Sequence, residues 1–231
     1  MSQLNFKRLE QKYLLNKQQF LALEEMLNEK FIPGDYFNSE VYNLYFDNIN
    51  HDIIINSIEK PDFKDKIRLR GYENLESGSS VYLESKKKYR GVVYKRRVVM
   101  TLMEWKSYYE HGIFPNHDLQ IMKEIDYEIK LFKLKPMYFV SYKRKSWRSI
   151  EDENFRVTID SDLKGRLIFL DLVSSEHDRR YFYDDTCIME VKCTNSLPLW
   201  FVKILNENKI YPSSFSKVGN IYKKERGGKI C

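Results

Sequence analysis

Lys66-Ile67-Arg68-Leu69-Arg70 alternates cations with aliphatic residues without a break. Side chains on a strand point to its two faces in turn, so Lys66, Arg68 and Arg70 share one face and Ile67 and Leu69 the other. An ordinary half-buried strand alternates apolar residues with arbitrary polar ones. Here the polar face is charged, and the pattern recurs. Glu84 and Lys86 share a face in Tyr82-Leu83-Glu84-Ser85-Lys86. Tyr142-Lys143-Arg144, Arg156-Val157-Thr158-Ile159-Asp160 and Glu190-Val191-Lys192 repeat it, each with a carboxylate close by. If these strands share a sheet, their charged faces converge on a surface suited to a highly charged anion and a metal ion.

The 231 residues carry a formal charge of +6 and are 15% aromatic, with 17 Tyr and 14 Phe. That supply of apolar surface excludes wholesale disorder. The basic excess favours an anionic partner (nucleic acid, polyanion, nucleotide or acidic membrane) without choosing among them. Cys187, Cys193 and Cys231 are odd in number and lack a CxxC pair. They argue against a zinc site or disulfide framework and for a reducing compartment. The opening residues lack the apolar core of a signal peptide, and no apolar stretch reaches the roughly 18 residues that span a membrane. Cys231, as the last residue, makes no prenylation box. The expectation is a cytoplasmic chain with no transmembrane segment, open to a membrane-protein partner.

Strands are predicted over 4–15, 40–47, 64–72, 80–88, 92–100, 137–148, 154–160, 165–170 and 187–193. Asn16 with Gln19 and Thr101 with Glu104 are capping boxes that start helices. The first carries Phe20, Leu23, Leu27 and Phe31 at helical spacing and is expected to stop at Pro33-Gly34; the second stops at Gly112. A helical or irregular stretch covers about 50–58. Asn116 opens a longer helix with Ile121, Ile125, Ile129 and Phe132 on one stripe, closed by Pro136. A further helix starts near Pro198, and Ser216-Lys217 begins a short terminal segment. Strands, a helical insertion at about 101–135, more strands and then helices describe an α+β chain or decorated barrel, expected as one domain over 1–231. Regular βαβ alternation is missing, which disfavours a doubly wound parallel sheet.

Lys12, Lys66, Arg68, Arg70, Lys86, Lys95, Arg97, Arg144, Arg156, Lys192 and Lys217 are the candidate inward cations. Guanidinium forks match phosphate oxygens, and lysines act as point charges. The bland alternative is that each strand has one solvated basic face. Glu10, Glu84, Glu190 and Asp160 share parity with the cations. They suit either Mg²⁺ or Mn²⁺ bridging phosphate oxygens, or relief of repulsion among the cations. Ser216 can donate to phosphate or cap a helix. Phosphate-binding GxxxxGK[ST] and GxGxxG loops and an HExxH pair are missing, and His51, His111, His117 and His177 sit in no metal-ligand spacing.

These residues resemble the VTC domain, the polyphosphate polymerase branch of the triphosphate tunnel metalloenzymes in the CYTH-like superfamily. Arg8-Leu9-Glu10-Gln11-Lys12-Tyr13 is similar to its opening motif. Tyr45-Phe46-Asp47, Lys66-Ile67-Arg68-Leu69-Arg70, Leu83-Glu84-Ser85-Lys86 and Lys95-Arg96-Arg97 resemble its YFD, KIRxR, LExK and following basic strands. Leu197-Pro198-Leu199-Trp200 resembles its LPxW helix start, and Ser216-Lys217 its late SK pair. Two positions depart: Arg8 stands where the wider superfamily has the first Glu of ExExK, and Val218 stands where the family's ending has Tyr.

The resemblance implies a closed antiparallel β tunnel with charged residues inside, helices outside and a C-terminal helix. It implies transfer of the terminal phosphate of ATP to polyphosphate, with Mn²⁺ or Mg²⁺ as cofactor. Lys12, Arg68, Arg70, Lys86, Arg144 and Arg156 would be catalytic. Lys66, Lys95, Arg97, Tyr142, Lys192, Ser216 and Lys217 would bind phosphate or nucleotide. Glu190, with Glu10 and Glu84, would hold the metal. Partners would be ATP, inorganic polyphosphate, pyrophosphate or triphosphate; basic residues alternating on strands rather than lining a helix, with no RNP-like aromatic signature, make nucleic acid the lesser alternative. Hydrolysis of tripolyphosphate or a nucleoside triphosphate, and polyphosphate binding without turnover, remain open on these residues.

Overall fold

A computed structural model describes residues 8–59, 61–90, 92–115, 119–182, 185–194 and 196–227. The elements begin with β1 (Arg8–Leu15), α1 (Lys17–Lys30), β2 (Phe31–Pro33), β3 (Ser39–Asp47) and α2 (Asp52–Ile58). Next come β4 (Phe63–Lys64), β5 (Ile67–Tyr72), β6 (Ser80–Tyr89), β7 (Val92–Thr101), α3 (Leu102–His111) and α4 (Leu119–Leu131). β8 (Lys135–Ser149), β9 (Arg156–Arg166), β10 (Arg179–Arg180), β11 (Cys187–Thr194), α5 (Leu199–Glu207) and α6 (Lys217–Glu225) complete the chain.

One curled sheet runs β1-β11-β9-β8-β3-β5-β6, with β7 beyond β6; β2 pairs with β8 and β10 with β9. These pairings are antiparallel. β4 and β5 form one interrupted strand against β6, because Lys66 and Lys86 exchange backbone hydrogen bonds of 3.1 and 2.9 Å between the two pieces.

Apolar residues of each strand's second face build two outer cores. Tyr13, Val157, Met189 and Val191 pack with Leu23 and Leu27 of α1 and Phe201 and Leu205 of α5. Leu44, Leu69, Leu83, Val98 and Phe139 pack with Trp105 and Tyr108 of α3 and Met122 and Ile125 of α4. A third core lies on the concave face. Val140, Leu163 and Ile188 there meet Ile54 of α2 and Val218 and Ile221 of α6. The approach of α6 is close: a Cβ on Gly165 would lie 2.6 Å from Ile221 Cδ1. Both capping boxes form, and Gly112 ends α3 at φ 70. Ser216 caps α6 by accepting the Gly219 N–H.

Four expectations change. First, the barrel is not closed: among the described residues, edge strands β1 and β7 do not pair. The free edge of β1 is taken by the chain before α6, where Ser213 donates to Lys12 O at 2.7 Å and Tyr13 bridges Pro212. Lys12, Lys66 and Lys86 lie near one another at this seam, where Lys86 reaches Glu10 of β1 at 3.8 Å. Second, α1 stops at Lys30. Phe31 is extended at φ −130, and its strand pairs with Trp147–Ser149 while its ring meets Phe155 edge-on. Third, Pro136 lies inside β8, at the register shift opposite Tyr45/Phe46 where a missing N–H is tolerated. Leu131 ends α4 instead, with Lys133 left-handed at φ 51 and Leu134 N donating to Ile129 O.

Fourth, residues 165–170 form no separate strand. β9 runs through a bulge, with Asp162 at φ 50, to Arg166. Buried Arg166 then gathers the carbonyls of Phe169, Asp171 and Val173 at 2.7–3.1 Å and pairs with Asp171 and Asp178 at 2.5 Å. Its guanidinium lies 3.8 Å from the Phe139 ring centroid. The predicted start of strand 4–15 and the Asn116 helix start lie partly or wholly outside the described residues.

Arg166→Leu strands the buried Asp178 carboxylate and three carbonyls. Urea unfolding is expected to show a loss on the order of 3–5 kcal/mol.

Candidate functional site

The register places the charged residues on one concave wall. Lys12 lies opposite Glu190, Lys192 opposite Arg156, and Asp160 opposite Arg144. Across the sheet, Tyr45 faces Arg68, Arg68 faces Glu84 and Glu84 faces Arg97; Asn43 faces Arg70, and Arg70 faces Tyr82. Cations outnumber carboxylates among these predicted residues, eleven to four.

Two ion-pair clusters anchor this wall. Asp160, 1% exposed, accepts both nitrogens of the Arg144 fork at 2.6 and 2.8 Å and the Lys217 ammonium at 2.6 Å. The Tyr142 ring lies 4.5 Å below Lys217. On the facing strands Glu84, 3% exposed, binds Arg68 at 2.7 Å and Lys95 at 2.5 Å. Arg68 also donates to the Tyr45 hydroxyl at 3.2 Å, and Arg70 to Asn43 Oδ1 at 3.3 Å. The seam is looser. Lys86 reaches Glu10 at 3.8 Å, Lys192 holds Glu190 at 2.5 Å, and Lys12 donates to Phe215 O at 3.2 Å. Among the described residues, no ion pair within 4.0 Å holds Lys12, Lys66, Arg70 or Arg97.

The electrostatics follow. Burial by itself would raise the carboxylates, but Arg68, Arg70 and Lys95 pull Glu84 down to about 2. Arg144 and Lys217 do the same to Asp160, also to about 2. Glu190 is held well below the carboxylate range, where Lys192 and Lys12 outweigh its burial. Burial and the neighbouring cations Lys12, Lys64 and Lys86 push Lys66 down to about 8. Tyr142 falls to about 8, because Arg144, Arg70 and Lys217 outweigh its burial.

The expected residues divide by depth. Arg68, Arg70, Tyr142, Arg144 and Lys217 sit within the concavity; Lys86, Lys95 and Arg97 are exposed along its edge. Exposed Arg156 is turned to the Glu153 carbonyl at 3.2 Å. Ser216 uses its hydroxyl as the α6 cap, and that cap aims Lys217 at Asp160. Both oxygens of Glu84 are held by cations, Arg68 on one and Lys95 on the other. Sequence reasoning left Asn43 out of the site and named Tyr45 only within the Tyr45-Phe46-Asp47 motif, although their shared parity on β3 was the available signal.

Among the described residues, no group of three or more His, Cys, Asp or Glu could form a metal cage. Glu190 and Glu10 occupy neighbouring strands, 16% and 35% exposed at their side chains. One or two carboxylates fit a hard divalent cation that takes its other ligands from phosphate and water, as Mg²⁺ does.

A half-barrel of antiparallel strands with a charged concave face defines a triphosphate-tunnel type of fold. The VTC domain model matches residues 7–224, and the chain belongs to that family. An adenylate cyclase candidate from Bacillus halodurans is 18% identical at TM-score 0.56, covering 90% of this chain and 92% of that one. Another from Hippeastrum, described as having a dominant triphosphatase activity, is 14% identical at TM-score 0.52, covering 96% and 97%. A third from Vibrio parahaemolyticus is 11% identical at 0.50, covering 94% and 98%. These likenesses show the fold. No curated protein matches the sequence.

Asp160 and Glu84 ordinarily titrate at 3.8 and 4.5 and are depressed when folded. Their stabilisation, about 2 kcal/mol or more for each, is present above pH 4.5 and lost as pH falls to 2. Urea titrations across that window are expected to give Asp160→Asn a shallower loss than the unaltered chain.

Proposed function

We propose that this chain is a metal-dependent polyphosphate polymerase that passes the terminal phosphate of ATP to a polyphosphate chain lying along the concave wall. The observation that carries the reading is that, among the described residues, Lys12, Lys66, Arg70 and Arg97 lie in no ion pair within 4.0 Å, beside the anchored Arg68, Arg144 and Lys217. Phosphoryl transfer asks a protein chiefly for positioning and charge stabilisation, which such a row supplies. Arg68 and Arg70 grip the donor phosphates, while Arg144 and Lys217 meet the transferred group and its acceptor. Glu190, with Glu10, would hold Mn²⁺ or Mg²⁺, whose chemistry is neutralisation of charge on bridged phosphate oxygens.

In this reading residues 1–231 act as one VTC-type domain. The free, buried Cys187 and Cys193 suit a reducing compartment such as the cytoplasm. Among the described residues, no helix is long and apolar enough to cross a membrane.

The test is incubation of purified protein with ATP and Mn²⁺, scoring polyphosphate, ADP and free phosphate together. Polyphosphate with matching ADP is expected. Free phosphate alone would make the chain a triphosphate hydrolase, and tight tripolyphosphate binding without turnover a binding module. Glu190→Gln is expected to abolish turnover and spare polyanion binding; full-rate turnover in that variant would refute the metal assignment. Arg70→Ala is expected to weaken tripolyphosphate about 10- to 100-fold by calorimetry, the worth of a charged hydrogen bond.

Affinity for tripolyphosphate is expected to fall as pH rises through 8. Lys66 loses its positive charge there, and Tyr142 gains a negative one. Combining Lys66→Met with Tyr142→Phe is expected to flatten that profile.

A further inference from the structure

The two ends of the charged wall differ in chemistry. Lys12, Lys66 and Lys86 gather at one end, which suits a chain of phosphates. At the other, β5 ends on Tyr72, whose ring meets Tyr82 edge-on with centroids 6.0 Å apart. Tyr82 lies directly across from Arg70, and Arg97 rests 5.5 Å from the Tyr82 ring centroid.

The loop between β2 and β3 completes this end. Gly34 N donates to Ser146 O at 2.9 Å, and a Cβ at Gly34 would come within 2.6 Å of Ser146 Oγ. Phe37 meets Trp147 edge-on, with centroids 5.5 Å apart. The loop is thereby fixed to β8, and Tyr36 between these anchors adopts φ 58. A bulky residue rarely takes the left-handed region, and such strain collects at ligand sites. Tyr36 lies flat on Tyr72, with centroids 4.8 Å apart and planes 8° apart, yet remains 59% exposed. One face of its ring is therefore supported and the other is open.

We infer that Tyr36 is a stacking platform for the base of a nucleoside triphosphate whose phosphates lie on Arg70 and Arg68. The inference rests on the triphosphate reading proposed above. It gives the wall a direction, with the nucleoside at the aromatic end and the phosphate chain leaving past the lysines. It also assigns discrimination between a nucleotide and bare tripolyphosphate to a residue that touches no phosphate. Stacking on an aromatic face accepts any base, so the platform selects nucleotides as a class.

Calorimetry with two probes tests this: tripolyphosphate and adenosine 5′-(β,γ-imido)triphosphate. Tyr36→Asn removes the ring and keeps a residue that tolerates the left-handed region. It is expected to weaken the nucleotide about tenfold and leave tripolyphosphate unchanged. Tyr36→Phe keeps the ring and is expected to bind both probes as the unaltered chain does. Equal weakening of both probes in Tyr36→Asn, or none of either, overturns the platform while leaving the tunnel reading in place. If the unaltered chain binds neither probe, both readings fall.

Discussion

The carboxylate of Asp160 holds a guanidinium and an ammonium in place on a buried wall, and the rest of the site is arranged around that bargain. Cations packed at low dielectric repel strongly, and a charge buried without a partner is costly. Asp160 joins β8, β9 and α6 through Arg144 and Lys217, and Glu84 does the same for β5, β6 and β7 through Arg68 and Lys95. Each carboxylate neutralises part of the charge it collects. The remaining excess fits a polyanion, whose oxygens can take over the cations' unused donors.

The same electrostatics explain the shape. A curled sheet with an apolar second face needs helices outside, and α1, α3, α4 and α5 supply them. The concave face cannot be covered in that way without burying its charges unpaired. Among the described helices only α6, with α2 beside it, lies there, and it covers the apolar stretch around Val140, Leu163 and Ile188. Its first residue, Lys217, reaches Asp160 rather than solvent. The chain leading into α6 occupies the edge of β1, which leaves the half-barrel open along a lysine-lined seam.

Much of this was legible in the residues. The alternation of Lys66, Arg68 and Arg70 with Ile67 and Leu69 marked the wall, and the capping boxes at Asn16 and Thr101 marked two helix starts. Other features were hidden. Phe31 fits a helical stripe by spacing, but its partner strand lies more than a hundred residues away. Pro136 reads as a stop until the bulge opposite it is known. Arg166 carries no local sign that it will gather a loop by its carbonyls. Tyr36 is one aromatic among many until Tyr72 lies beneath it.

The sequence by itself determined which face of each strand is charged, because side-chain direction on a strand follows from a period of two residues and from nothing distant. Its clustered cations also favoured an anionic partner. Only the tertiary structure decided which carboxylate holds which cation, that the barrel stays open, and that the two ends of the wall differ in chemistry. Those outcomes depend on cross-strand register and on how a late helix docks, and both are set by contacts between residues far apart in the chain.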